Sequence, residues 1–168
     1  MNDYLRTRLE HRGKRDNTFV YLFTHKGAAS FTEVFQGGET FYGTSHAEEL
    51  QYLFPIREDL HYFFNSVPTD QDKQLTKLIT KMWVNFAYHG NPTPESSKLL
   101  PWKTAKQFPL DYMRIGNVNG QSSSTSLLSM ERDLYPERTE FWRNLAQTAH
   151  YPAHKSSAHN EVDATEII

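Results

Sequence analysis

Five consecutive apolar residues, Phe19-Val20-Tyr21-Leu22-Phe23, constrain this chain more than any other segment. The run is short, rich in aromatic and β-branched side chains, and lacks the alternation of a half-solvated strand. It predicts a strand covered on both faces in a largely parallel sheet. Such a strand needs neighbours. Two more are expected, at Leu110 to Ile115 and at Ser126 to Met130. The breakers Gly116, Asn117, Asn119 and Gly120 lie between them, so this pair is predicted to form a hairpin.

Between the early strand and the late pair, Thr69 to Tyr88 places Leu75, Leu78, Ile79, Met82, Trp83 and Phe86 three and four residues apart. That spacing predicts a helix with one wholly apolar face. Thr69 or Asp70 suits its N-cap, Asp72 suits the positive end of its dipole, and Gly90 and Pro92 close it. Burying six such side chains at about 2 kcal/mol each represents roughly 12 kcal/mol before conformational entropy is subtracted. A final helix is predicted from Pro136, with Phe141, Trp142 and Leu145 on one side. A doubly covered strand and two apolar helix faces demand more sheet than two or three strands provide. The expected class is therefore α/β with an incomplete sheet: because an uncovered edge on a central-type strand invites aggregation, either a partner supplies the missing strands or, the favoured reading, this is the closing part of a larger fold.

At 168 residues the chain has room for one ordinary domain. Eighteen Lys and Arg against twenty Asp and Glu give a formal charge of −2. No basic surplus favours nucleic acid or an anionic membrane. Aromatic residues reach 14%, which argues for a packed chain over a disordered one. With no cysteine, disulfides, thiolate metal sites and a cysteine nucleophile are excluded. The first dozen residues lack the apolar stretch of a signal peptide, and no run is long enough to span a bilayer. From about Tyr151 the chain reads as a disordered tail. Its His154 and His159, with His150 just before it, form no expected metal site, because Pro152 interrupts any helix that would align them.

The segment most suggestive of chemistry is Gly43-Thr44-Ser45-His46-Ala47-Glu48-Glu49-Leu50-Gln51-Tyr52-Leu53-Phe54. It seats His46 in a loop of small residues just ahead of an apolar stretch, where an imidazole is held yet accessible, as a general base must be. A surface or packing role for His46 fits the same spacing. Gly43-Thr44-Ser45-His46-Ala47 also approximates a nucleophile elbow centred on Ser45. Against it, only a short run, Thr40 to Tyr42, lies between Gly37-Gly38 and the loop, where an elbow needs a long buried strand. Asp111 and a tail histidine would be poor partners.

The order of landmarks resembles the C-terminal part of the type-B carboxylesterases, the cholinesterase and carboxylesterase group of α/β-hydrolases. The strand Phe19 to Thr24 with Lys26-Gly27 is similar to the family's strand and following turn. Gly43-x-x-His46-x-x-Glu49-Leu50-x-Tyr52-x-Phe54 resembles the motif around its catalytic histidine. Trp83-x-x-Phe86-Ala87-x-x-Gly90-Asn91-Pro92 is similar to the helix end that follows. Trp102, then Tyr112-Met113-x-Ile115, then Phe141-Trp142 with Leu145, match the closing landmarks in order. The resemblance implies an α/β-hydrolase fragment over residues 18–150, after a lead-in of residues 1–17 and before a tail of residues 151–168.

It implies ester hydrolysis through a Ser-Glu-His triad in which His46 is the catalytic residue. The substrate would be a small-molecule ester, with no cofactor or metal, no nucleic-acid partner and no membrane span. In α/β-hydrolases the serine and the acid precede the histidine in the chain. The nucleophile, the acid and the oxyanion loop are therefore expected outside these residues, leaving the chain inactive by itself. Glu48 and Glu49 are too near in sequence to reach the far ring nitrogen of His46. A solvated side chain is expected at Glu48 and a structural one at Glu49. Two other readings stand beside the enzyme: a non-catalytic, neuroligin-like adhesion protein of the same fold, and a small binding domain docking a partner through Tyr62-Phe63-Phe64. Localisation stays open.

Overall fold

The computed structural model describes residues 2–11, 17–34, 40, 42–54, 66–117 and 126–148. The chain divides into two compact units, residues 1–134 and residues 135–168. The first unit carries helix α1 (Asn2–Glu10), strand β1 (Tyr21–Phe23), helices α2 (Phe31–Val34), α3 (Leu50–Leu53) and α4 (Asp70–His89), a 3-10 turn (Glu95–Ser97), and strands β2 (Asp111–Ile115) and β3 (Leu128–Arg132). The second carries helix α5 (Pro136–Thr148).

The strands form one sheet in the order β1-β2-β3. β1 runs parallel to β2, with Tyr21 opposite Met113 and Phe23 opposite Ile115. β2 and β3 are antiparallel, with Met113 opposite Met130, as the hairpin reading expected. The class is α/β with a small mixed sheet. Alternation along the strands directs side chains to opposite faces. Met113 and Ile115 join Leu75, Ile79, Met82, Tyr52, Trp102, Leu127 and Leu128 in one core, with Tyr21 and Phe23 packed against it. Tyr112 joins Val20, Leu5, Ala105, Leu110 and Leu134 in a second core, with Leu22 at its margin. Both faces of the sheet are thus covered.

Helix α4 follows the predicted apolar spacing closely. Thr69 is its N-cap: the threonine hydroxyl accepts from the Asp72 amide and the Asp72 carboxylate accepts from the Thr69 amide, a reciprocal capping box. Gly90 ends it in the left-handed conformation, φ 64°. Leu75, Ile79 and Met82 are wholly buried, whereas Phe86, expected on the buried face, is 48% exposed.

Other expectations need adjustment. β1 is three residues long instead of five, and its side chains are only half-buried. β3 begins and ends two residues later than expected, because charged and hydroxyl pairs across the hairpin extend it. Arg114 Nε donates to Glu131 Oε1 at 2.6 Å and the Tyr112 hydroxyl donates to Glu131 Oε2 at 2.8 Å. Helix α1 occupies part of the segment expected only as a lead-in. In α5, Phe141, Trp142 and Leu145 are exposed within their unit. The tail, the breakers Asn119 and Gly120, Gly37-Gly38 and the Tyr62-Phe63-Phe64 cluster lie outside the described residues. No helix among the described residues is long and apolar enough to cross a membrane.

Candidate active site

The chain leaves β1 through a turn that is pinned to α3 and α4 by one buried carboxylate. Asp72, 2% exposed, accepts from His25 Nε2 at 2.9 Å and from the Tyr52 hydroxyl at 3.1 Å. It also accepts from the Ala28 amide at 3.2 Å, the Thr69 amide at 2.7 Å and the Thr69 hydroxyl at 2.8 Å. Burial alone would raise the Asp72 pKa. The hydrogen bonds from His25, Thr69 and Ala28 outweigh it and hold the carboxyl well below the usual aspartate range. Glycine is required at two points of this junction. A Cβ on Gly27 would collide with the Tyr52 hydroxyl and Asp72, and one on Gly116, at φ 115°, would strike the backbone of His25.

Tyr52 and Asp72 thereby fix the C-terminal side of the segment that carries His46. His46 lies in a turn from Ser45 to Glu48, the Glu48 amide donating to the Ser45 carbonyl at 3.4 Å, and a second turn overlaps it, the Leu50 amide donating to the Ala47 carbonyl at 3.0 Å. His46 is exposed, and among the described residues its imidazole has no hydrogen-bond partner. Accessibility, the first requirement of a base that must meet an incoming group, is satisfied. Ala47, the next residue, has φ 65°, a left-handed conformation rare for a residue with a Cβ.

The neighbours of His46 differ from expectation at one point. Glu48 is 2% exposed, not solvated, and it collects the Ser45 hydroxyl, the Ser30 hydroxyl at 3.3 Å, the Phe31 amide at 3.2 Å and Gln51 Nε2 at 3.1 Å. A carboxylate offers acceptors only, so these four donors suit it. The spacing Ser45-x-x-Glu48 is that of a capping box, as is Thr69-x-x-Asp72, but Thr7-x-x-Glu10 and Ser30-x-x-Glu33 share it with exposed carboxylates, so the spacing alone does not single out the buried pair. The Ser45 hydroxyl, the candidate of the elbow reading, donates to Glu48. Glu49 accepts from the Tyr21 hydroxyl at 3.3 Å. Burial, then the Glu49 charge and this hydrogen bond, push the Tyr21 pKa up to about 12.

Beside β1 an apolar groove of about 190 Å³ is lined by Phe19, Tyr21, Met82, Trp83, Phe86, Pro92 and Trp102. Its rings meet edge to face, Tyr21 to Trp83 at 5.4 Å and Phe19 to Trp102 at 5.8 Å. The Val20 carbonyl accepts from the Met113 amide and the Thr24 amide donates to the Ile115 carbonyl. Strand alternation then turns the amides of Tyr21 and Phe23 toward the other edge, which no described strand covers.

The model of the carboxylesterase family matches residues 1–142. The chain is 24% identical over 145 residues to the acetylcholinesterase of Bungarus fasciatus, covering 85% of this chain and 20% of that protein. It is 23% identical over 144 residues to the juvenile hormone esterase of Tribolium castaneum, covering 80% and 24%. The solved structure of PNB esterase superposes with a TM-score of 0.51 at 20% identity over 74% of this chain and 21% of that one, a likeness of fold. The chain thus spans about a fifth to a quarter of the length of these relatives.

Proposed function

Because the chain belongs to the carboxylesterase family, we propose that it supplies His46 as the catalytic histidine of a Ser-Glu-His triad in a carboxylic ester hydrolase. The observation that carries this reading is an exposed imidazole at the tip of a side-chain-bridged turn, inside a segment the family match covers. In this role His46 takes the proton of the serine hydroxyl as it attacks the ester carbonyl, then returns a proton to the departing alcohol. The triad acid faces the other ring nitrogen, fixes the tautomer and stabilises the imidazolium. Such proton transfer contributes about 10² to 10⁴ in rate.

The serine, the acid and the oxyanion donors come from a preceding portion of the same fold, since α/β-hydrolase triads run serine, acid, histidine along the chain. Three features support this. The Ser45 hydroxyl is engaged by Glu48. The chain spans about a fifth to a quarter of its relatives. The edge of β1 that no described strand covers, with its aromatic groove, has the form of a seat for a further parallel strand and its packing. The substrate class is a small-molecule carboxylic ester.

The test compares two proteins. The purified 168-residue chain is expected to leave a simple aryl ester intact and to remain unlabelled by a fluorophosphonate. The longest product of the same gene is expected to hydrolyse the ester and to be labelled on a serine that precedes these residues. Turnover by the short chain that Ser45→Ala abolishes would overturn the division of labour. A long product that is neither active nor labelled would overturn the esterase reading.

A further inference from the structure

The buried carboxylate beside His46 is not used by the chemistry above, yet its partners come from three separate segments. Ser30 and Phe31 open α2, Ser45 precedes His46, and Gln51 lies on α3. Gln51 is itself tied to the loop ahead of α2, donating to the Ala29 carbonyl at 3.4 Å. One side chain therefore joins the start of α2, the turn and α3.

Within the turn, Ser45 and Glu48 are the two ends and His46 and Ala47 the two residues between. The hydrogen bond from the Ser45 hydroxyl to Glu48 closes the ends by side chains, while the weak 3.4 Å contact from the Glu48 amide to the Ser45 carbonyl closes them by backbone. Ala47 sits at φ 65°, where its Cβ is crowded. A residue stays in such a conformation only where its surroundings over-determine it. The surroundings doing so are the Glu48 hydrogen bonds on one side and the Leu50 amide on the Ala47 carbonyl at 3.0 Å on the other, since His46 itself makes none among the described residues. A histidine with no anchor of its own must take its direction from the backbone beneath it.

The geometry points to Glu48 as the positioning residue for His46, holding the turn, and the left-handed Ala47 within it, so that the imidazole presents one orientation. Its catalytic meaning rests on the reading of His46 as the general base; its structural content does not. Glutamine at 48 keeps the length but replaces one acceptor oxygen with a donor aimed at hydroxyl and amide donors. Alanine at 45 removes one strut and leaves the carboxylate in place. Threonine at 45 keeps the hydroxyl.

The experiment is NMR relaxation of the His46 ring carbons in the full 168-residue chain, with amide hydrogen exchange of α4 recorded alongside. Wild type and Ser45→Thr are expected to show an ordered ring. Glu48→Gln and Ser45→Ala are expected to show ring order parameters below about 0.6, the range of flexible groups, with the protection of Leu75, Ile79 and Met82 amides unchanged. An ordered ring in both variants would overturn the proposal. So would loss of α4 protection in step with ring order, which marks a merely structural carboxylate. Should Glu48→Gln not fold, Ser45→Ala decides alone. None of these readouts needs an ester or a serine nucleophile, so an inactive long product would sink the esterase reading and leave this one standing. In an active long product, Ser45→Ala is expected to lower kcat several-fold with KM little changed, as befits an interaction that acts on the transition state.

Discussion

Asp72 offers the sharpest test of how this junction is held. Asp72→Ala removes the acceptor of five hydrogen bonds. Thr69 is exposed, so water can satisfy its amide and hydroxyl in the variant. His25 is 1% exposed, so water cannot readily reach its Nε2. Stranding that donor costs about 1–3 kcal/mol. The expected loss is therefore at least about 1–3 kcal/mol, read as a lower urea midpoint at unchanged slope, with far-UV ellipticity as the probe and dilute protein. A loss under about 1 kcal/mol would refute the reasoning. The pH dependence supplies a second check. The folded pKa of Asp72 lies below its ordinary value of 3.8. Its contribution is thus complete above pH 3.8 and fades as pH falls toward the folded value, so the gap between wild type and variant should narrow below about pH 4.

Further outcomes follow from other particular contacts. Tyr21 has a pKa raised from 10.0 to about 12, so its contribution is complete below pH 10 and is lost between pH 10 and 12; Glu49→Gln should bring its phenolate absorbance to lower pH in a spectroscopic titration. Gly116→Ala should cost about 2–4 kcal/mol and Gly90→Ala about 1–2, because both have positive φ but only at Gly116 would the new Cβ meet backbone; equal losses in urea unfolding would contradict this. The edge of β1, covered by no described strand, and its aromatic groove should make the short chain associate with rising concentration, and a monomer at all concentrations in sedimentation velocity would argue that the edge is protected.

The elements legible in the sequence are those whose signal is local and repeated. Helix α4 differs from its predicted span by one residue at each end, because six apolar positions, a capping box and a C-terminal glycine all state the same answer. The parallel β1 and the late hairpin were equally readable in kind. Their limits were less so: β3 extends to Arg132 through Glu131, whose partners Arg114 and Tyr112 lie on another strand and carry no local signature. Helix α1 was missed for a related reason. Leu5 and Leu9, four apart, reach the second core and its margin, but in a run this polar two leucines do not register as a face. At the site, His46 stood out by motif, whereas Glu48 read as solvated because its donors, Ser30 and Phe31, lie far back along the chain. The Ser45-x-x-Glu48 spacing was visible; what it closes was not.

The central claim, that His46 moves the proton in ester hydrolysis, is tested most directly by the kcat/KM of the longest gene product with His46→Ala against wild type on one aryl ester. The account predicts a fall of about 10² to 10⁴ with the fold intact by circular dichroism. Activity within a few-fold of wild type would contradict it.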